Sequence, residues 1–242
     1  MIKSTRLITN ENVKSPIAEA YKTLRTNIQF SLTDTNGGLK VILVTSSGLT
    51  EGKSTTAANL AVTFAQSDQK VLLVDCDLRR PVVHRSFTLL NGKGLTNILV
   101  EGVDYANLVN TTFVENLGVI TSGPKPPNPS ELLGSARMKA LIERFKENYD
   151  TIILDSPPAL PVTDAAVLSK LVDGVIIVCE YGQTTFESIA QAKSLLDKVN
   201  AKILGVVLNR VPANHKEYYY YYYQDERGNM VKSGRKSAAL KA

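Results

Sequence analysis

No apolar run in these 242 residues approaches the roughly 18 that a membrane-crossing helix needs, and the first residues carry no apolar leader segment. The chain is therefore expected in the cytoplasm unless a partner holds it at a membrane. Cysteine is scarce: Cys76 and Cys179 are the only two, each inside an apolar, strand-like run. They read as buried reduced thiols rather than a disulfide framework. No internal repeat is visible, and after Pro212 the apolar periodicity disappears. What is present suffices for one large α/β domain with tails, since 43% of residues are apolar and can fill a core. The net charge is +5, and from Arg210 onward seven Lys or Arg face three Asp or Glu, so +4 of it lies in the tail. Such a tail suits anionic lipid, nucleic acid, an acidic partner or plain solvation.

The chain is organised around Val41-Ile42-Leu43-Val44-Thr45, a buried-strand pattern that runs into Ser46-Ser47-Gly48-Leu49-Thr50-Glu51-Gly52-Lys53-Ser54-Thr55 and then a helical pattern. Strand, small-residue loop and helix in that order is the context of a phosphate-binding loop. A helix start offers unpaired N–H groups and a positive dipole end to phosphate oxygens. Gly48, Leu49, Thr50, Glu51, Gly52, Lys53, Ser54 and Thr55 are the candidate nucleotide-binding residues. Lys53 is expected on a solvent-facing loop, aimed at the β- and γ-phosphates, with the Ser54 hydroxyl on Mg²⁺. The usual first Gly of the pattern is Ser47 here.

Around this loop the chain alternates. Residues 1–34 are expected to form a loose arm, to about residue 14, and an amphipathic helix from Pro16 to about Leu32. Residues 35–212 give strand Val41–Thr45, helix Lys53–Ser67, strand Val71–Asp75, a Pro-broken segment, helix Leu95–Val100 and an extended piece at Leu117–Thr121. Helix Glu131–Asn148, with Ser130 as its cap, strand Thr151–Asp155 and helix Thr163–Leu171 follow. Strand Gly174–Cys179, helix Thr185–Asn200 and strand Ala201–Leu208 complete the domain. Residues 213–242 are expected to be a flexible, basic, Tyr-rich tail. The alternation predicts an α/β fold, a mostly parallel sheet with helices on both faces, and ligands at the carboxyl ends of its strands.

Two further strands end in carboxylates. Val71-Leu72-Leu73-Val74-Asp75-Cys76-Asp77 puts Asp75 and Asp77 on one side of the chain, where they are costly unless a cation or donors await them. Mg²⁺ beside the phosphate loop is the natural cation; the alternative is that one Asp holds a turn ahead of Pro81. Thr151-Ile152-Ile153-Leu154-Asp155 ends the same way, and such an Asp holds Mg²⁺ directly or through water. Asn209, closing the last strand, can pair with a purine edge. Arg210 and Pro212 stand where guanine-selective enzymes place Asn-Lys-x-Asp residues, which favours ATP over GTP.

In combination these runs, with Asp155-Ser156-Pro157-Pro158, the Ser122-Gly123-Pro124 to Pro129 loop and a tyrosine cluster, resemble the bacterial tyrosine kinases of capsule and exopolysaccharide synthesis, firmicute cytoplasmic type. That family has the Mrp/MinD-like P-loop NTPase fold and is unrelated to eukaryotic kinases. Consistently, His84-Arg85-Ser86 is no His-Arg-Asp loop, and no Asp-Phe-Gly occurs. The resemblance implies Lys53 and Ser54 as phosphate and Mg²⁺ ligands. It implies Asp77 as the base on the tyrosine hydroxyl with Asp75 in support, and Ser54, Asp77 and Asp155 around the metal. It implies autophosphorylation at Tyr218, Tyr219, Tyr220, Tyr221, Tyr222 and Tyr223. The expected partners are a transmembrane activator of the polysaccharide co-polymerase type, further copies of the chain in a ring, and a tyrosine phosphatase, with no nucleic acid. Two departures stand out. Thr50 replaces a usual Gly, so a φ > 0 loop position would be strained there. Lys22 replaces an Arg in the Glu19, Lys22, Arg25 helix motif, losing the guanidinium fork. The rival is a ParA/MinD-like positioning ATPase, whose signature Lys position is Gly48 here.

Overall fold

The computed structural model describes residues 7–31 and 40–212. The expected tail and its tyrosines, Tyr218–Tyr223, lie outside the described residues, as do residues 1–6 and the turn expected after the first long helix. Residues up to Asn209 form one unit and a second begins at Arg210.

The unit is built on one seven-stranded sheet. Its strands are β1 (Val41–Ser46), β2 (Val71–Asp75), β3 (Asn110–Thr111), β4 (Leu117–Ile120), β5 (Thr151–Asp155), β6 (Gly174–Glu180) and β7 (Ile203–Asn209). They lie in the order β3-β4-β2-β5-β1-β6-β7, every pair parallel except β3 with β4. Every residue of β1, β2 and β5 is buried, as their unbroken apolar runs require when helices cover both faces. Two cores result. One face buries Leu72, Val74, Leu141, Ile142 and Phe145; the other buries Ile42, Val44, Ala57, Leu60 and Phe64.

Helix α3 (Lys53–Ala65) lies on the second face, and Ala57, Ala58 and Ala61 let it approach closely enough to be almost wholly buried. The expected loose arm is instead ordered from Leu7. Leu7 is buried, α1 (Ile8–Glu11) follows, and the Thr9 hydroxyl donates to Asn59 Oδ1 at 3.0 Å. The Thr9 N–H also donates to Asn59 Oδ1, and Gln66 Nε2 donates to Thr9 O, so the short helix is held by a buried anchor and contacts to α3 and its C-cap that produce no periodic pattern. Helix α2 (Pro16–Phe30) starts as expected, with Pro16 in its first turn and the Ser15 side chain capping Ala18 N–H. Arg25 on it donates to Thr63 O of α3 at 2.8 Å.

The helix expected over Glu131–Asn148 is two helices, α6 (Pro129–Leu133) and α7 (Ala136–Asn148). Gly134 ends the first; a Cβ there would come within 3.0 Å of Val167 Cγ1. Ser135 begins the second by accepting from Met138 N–H. The cap is thus Ser135, and Ser130 is released for another use. Other boundaries move by a few residues, as in α5 (Leu95–Glu101). A four-residue helix α4 (Val83–Ser86), a 3₁₀ turn at Tyr105–Leu108 and the two-residue β3 are too short for periodicity to reveal.

Candidate active site

Four segments meet at the carboxyl ends of β1, β2, β5 and β7. The β1 loop enters α3 through Gly52, which takes φ +95° and serves as the helix N-cap. Only glycine suits that position twice over: the backbone is left-handed, and a Cβ would sit 2.0 Å from Asn209 Nδ2. Thr50 two residues earlier has φ 65°, the strained conformation anticipated for it. Thr50→Gly is expected to raise stability by about 1 kcal/mol, after the entropy of glycine is offset. A melt should show this as a Tm increase of about 2–4 °C; an unchanged or lowered Tm would contradict it.

Lys53, the first residue of α3, is buried rather than solvent-facing, at 9% exposure. Its Nζ donates to Asp77 Oδ2 at 2.9 Å and to Ser54 Oγ at 3.1 Å, and lies 3.7 Å from Asp155 Oδ1. Burial opposes its charge, but the carboxylates of Asp155, Asp77 and Asp75 outweigh burial and hold its pKa above the ordinary lysine value. Lys53 is therefore a cation, as a phosphate ligand must be.

The three acids divide. Asp75 and Asp155 are register partners on β2 and β5. Asp75 spends both oxygens on its own chain, accepting from Asp77 N–H and Val83 N–H, each at 3.1 Å. It holds the turn ahead of α4, the alternative anticipated for one of the pair. Asp77 Oδ1 accepts from Arg80 N–H at 2.9 Å, leaving Oδ2 for Lys53. Asp155 is fully buried and neither of its oxygens accepts a hydrogen bond. Burial pushes its pKa up to about 6, against the pull of Lys53. Burial and the neighbouring Asp155 and Asp77 likewise raise Asp75. A buried carboxylate that faces the Lys53 ammonium at 3.7 Å and the Ser54 hydroxyl is an oxygen donor set that fits Mg²⁺.

Asn209 reaches the site by a route the purine reading did not include. Its Nδ2 donates to Glu51 O at 3.0 Å, bracing the phosphate loop. The Glu51 side chain braces the same loop from inside, accepting from Ser47 Oγ, Gly48 N–H and Thr184 Oγ1 at 2.8, 2.9 and 2.6 Å. Nothing in the sequence marks Thr184, since its partner is 133 residues away. Arg79, Ser130 and Asp164 form a second cluster; the sequence shows Arg79 in the run after Asp77 and Ser130 as an expected helix cap, but nothing local brings Asp164 to them.

The AAA domain family model matches residues 39–207. The tyrosine-protein kinase YwqD of Bacillus subtilis (strain 168) is 45% identical over 213 residues, covering 88% of this chain and 89% of that protein. The solved structure of the chimerical protein CapA2B2 superposes with a TM-score of 0.81 at 42% identity, covering 85% of this chain and 90% of that one. The septum site-determining protein MinD of Pyrococcus horikoshii OT3 superposes with a TM-score of 0.62 at 23% identity, over 73% of this chain and 72% of that one. It shares the P-loop NTPase fold. From the carboxylate-lined phosphate loop to the extent of these matches, the chain belongs to the bacterial tyrosine-protein kinases.

Proposed function

We propose that this protein transfers the γ-phosphoryl group of ATP to its own C-terminal tyrosines, Tyr218–Tyr223, and does so between subunits. The observation carrying this reading is the buried Lys53, held between Asp77 and Asp155 at the start of α3. The N–H groups of the 49–54 loop and the α3 dipole receive the phosphates, the Gly48 N–H being held by Glu51. Lys53 exchanges Asp77 for phosphate oxygens, so that Asp77 Oδ2 becomes available to the incoming tyrosine hydroxyl. A tyrosine near pKa 10 is not deprotonated early by a carboxylate. In a loose transition state Asp77 need only orient the hydroxyl and take its proton late. Asp75 keeps the Asp77 backbone in place through the 3.1 Å bond. Ser54 and Asp155, with Asp77 nearby, would hold Mg²⁺, which when bound neutralises charge building on the phosphates. Asn209, whose Nδ2 braces Glu51, would meet the purine edge of the bound nucleotide.

Tyr218 follows Asn209 by about nine residues, roughly 30 Å when extended. That length allows a neighbour's site as readily as the chain's own. Docked tails, with the Glu19, Lys22 and Arg25 helix, would link copies into a ring; each phosphate adds about −1.5 to −2 charge and opposes that docking. A tyrosine phosphatase would restore the tail. Among the described residues no helix is long and apolar enough to cross a membrane. A separate transmembrane activator of the polysaccharide co-polymerase type would recruit the protein to the inner face of the plasma membrane, where it regulates capsule or exopolysaccharide synthesis.

The test mixes two variants with Mg-ATP. Lys53→Met retains the tyrosines without the phosphate ligand, and a six-fold Tyr→Phe change at 218–223 retains the site without the tyrosines. Labelled Lys53→Met chains are the expected result. Label that forms in wild type but never in the mixture would restrict transfer to within one chain.

A further inference from the structure

Asp164 is a fully buried carboxylate for which the phosphate chemistry has no use. It opens α8 (Asp164–Leu168), which follows the β5 loop. Arg79 meets it with a two-pronged contact, Nε to Oδ2 at 2.8 Å and Nη2 to Oδ1 at 2.9 Å. The same Nη2 lies 3.1 Å from Ser130 Oγ, and the Ser130 hydroxyl donates to Asp164 Oδ1. Thr163 Oγ1 donates to Ser130 Oγ at 3.1 Å. Ser130 thus donates once and accepts twice, the full capacity of a hydroxyl. Arg79 is partly exposed, but Asp164 is not, and a carboxylate taken fully out of water is tolerable only when its charge partner and hydrogen bonds are this complete.

The location gives the cluster its meaning. Arg79 lies two residues after Asp77, on the loop between β2 and α4. Ser130 is in α6, and Thr163 and Asp164 stand at the start of α8. The cluster therefore ties the loop carrying Asp77 to the segments that follow β4 and β5. When Lys53 turns to phosphate, Asp77 loses its 2.9 Å partner. Among the described residues its carboxylate then keeps the Arg80 N–H, so its placement depends on the loop backbone.

We propose that Arg79, Asp164 and Ser130 form a clasp that fixes this loop, making them positioning residues for the phosphoryl acceptor. The clasp rests on the kinase reading above, in which Asp77 orients that acceptor. It touches neither the phosphate loop nor Asp155. Loss of the clasp should therefore slow transfer without weakening nucleotide binding. A misplacement of about 1 Å at such a group costs up to about a hundredfold in rate.

The experiment measures kcat, KM for ATP and Mg-ADP affinity for the full chain carrying Arg79→Ala, Arg79→Lys or Ser130→Ala. Arg79→Ala is expected to lower kcat about ten- to a hundredfold, with KM and Mg-ADP affinity within about twofold of wild type. Arg79→Lys keeps the charge but not the fork and should recover little of the loss. Ser130→Ala removes one hydroxyl and should lower kcat about three- to tenfold. If Arg79→Ala fails to fold, the other two variants carry the same test. A wild-type kcat in the folded variants, or equal losses in kcat and nucleotide affinity, overturns the clasp. If wild type hydrolyses ATP but labels no tyrosine, the kinase reading fails instead, and the same split is read on hydrolysis, with water as the acceptor.

Discussion

Lys53→Met is expected to slow tyrosine phosphorylation about a thousandfold, the scale set by losing a preorganised electrostatic donor. The Lys53 ammonium sits 2.9 Å from Asp77 and 3.7 Å from Asp155, whereas Arg80 meets Asp77 through its backbone N–H. Methionine fills much of the same buried volume but supplies no donor and no charge. The fold should survive. Removing one partner of a buried pair costs up to about 3–5 kcal/mol, yet burial already biases Asp75 and Asp155 toward the protonated form. Uptake of protons by these acids limits the cost. A melt paired with anti-phosphotyrosine detection separates the two effects. A folded variant that labels at the wild-type rate would remove Lys53 from the mechanism.

The second large effect separates two carboxylates that share one lysine. Asp77→Asn should lower phosphoryl transfer by about 10²–10⁴, the range for a positioned general base, while Mg-ADP affinity changes little. Asparagine can still accept from Arg80 N–H through its amide oxygen, so the loop keeps its 2.9 Å contact. Asp155→Asn should weaken Mg-nucleotide binding about ten- to a hundredfold, by analogy with lost metal-supporting groups, and transfer should fall with it. The reason is the difference in partners. Asp77 has both oxygens engaged, whereas Asp155 is buried with neither oxygen bonded. Titrations with a fluorescent nucleotide, with and without Mg²⁺, measure one arm and initial transfer rates the other. Equal losses of nucleotide affinity in both variants, with transfer intact in either, would contradict the division.

How much of this was legible in the sequence follows from range. The strands β1, β2 and β5 were readable because continuous apolar runs of three or four residues, each ending in a threonine or an aspartate, carry no helical period. The Gly-Lys-Ser loop and the strand-terminal Asp residues were readable because each is local. The resemblance to bacterial tyrosine kinases joined them into one site. The break at Gly134-Ser135 was hidden by the apolar periodicity of α7, which runs on through it. The ordered arm was hidden because Thr9 meets Asn59 fifty residues away. Long-range side-chain pairs have no periodic signature. Glu51 with Thr184, and Arg79 with Asp164, therefore appear only once the strands are in order. Burial of Lys53 was missed for the same cause, since carboxylates from the ends of β2 and β5 and from the loop after β2 surround it.

The most direct test of the account is a phosphorylation map. Purified wild-type and Lys53→Met chains are incubated with Mg-ATP and digested, and every phosphorylated residue is located by mass spectrometry. The expected result is phosphate on tyrosines within Tyr218–Tyr223 of the wild-type chain after Mg-ATP, and none on Lys53→Met incubated alone. Nucleotide turnover with those six tyrosines left unmodified, or an equally labelled cluster in Lys53→Met, would contradict the assignment of this site as a kinase acting on the chain's own tail.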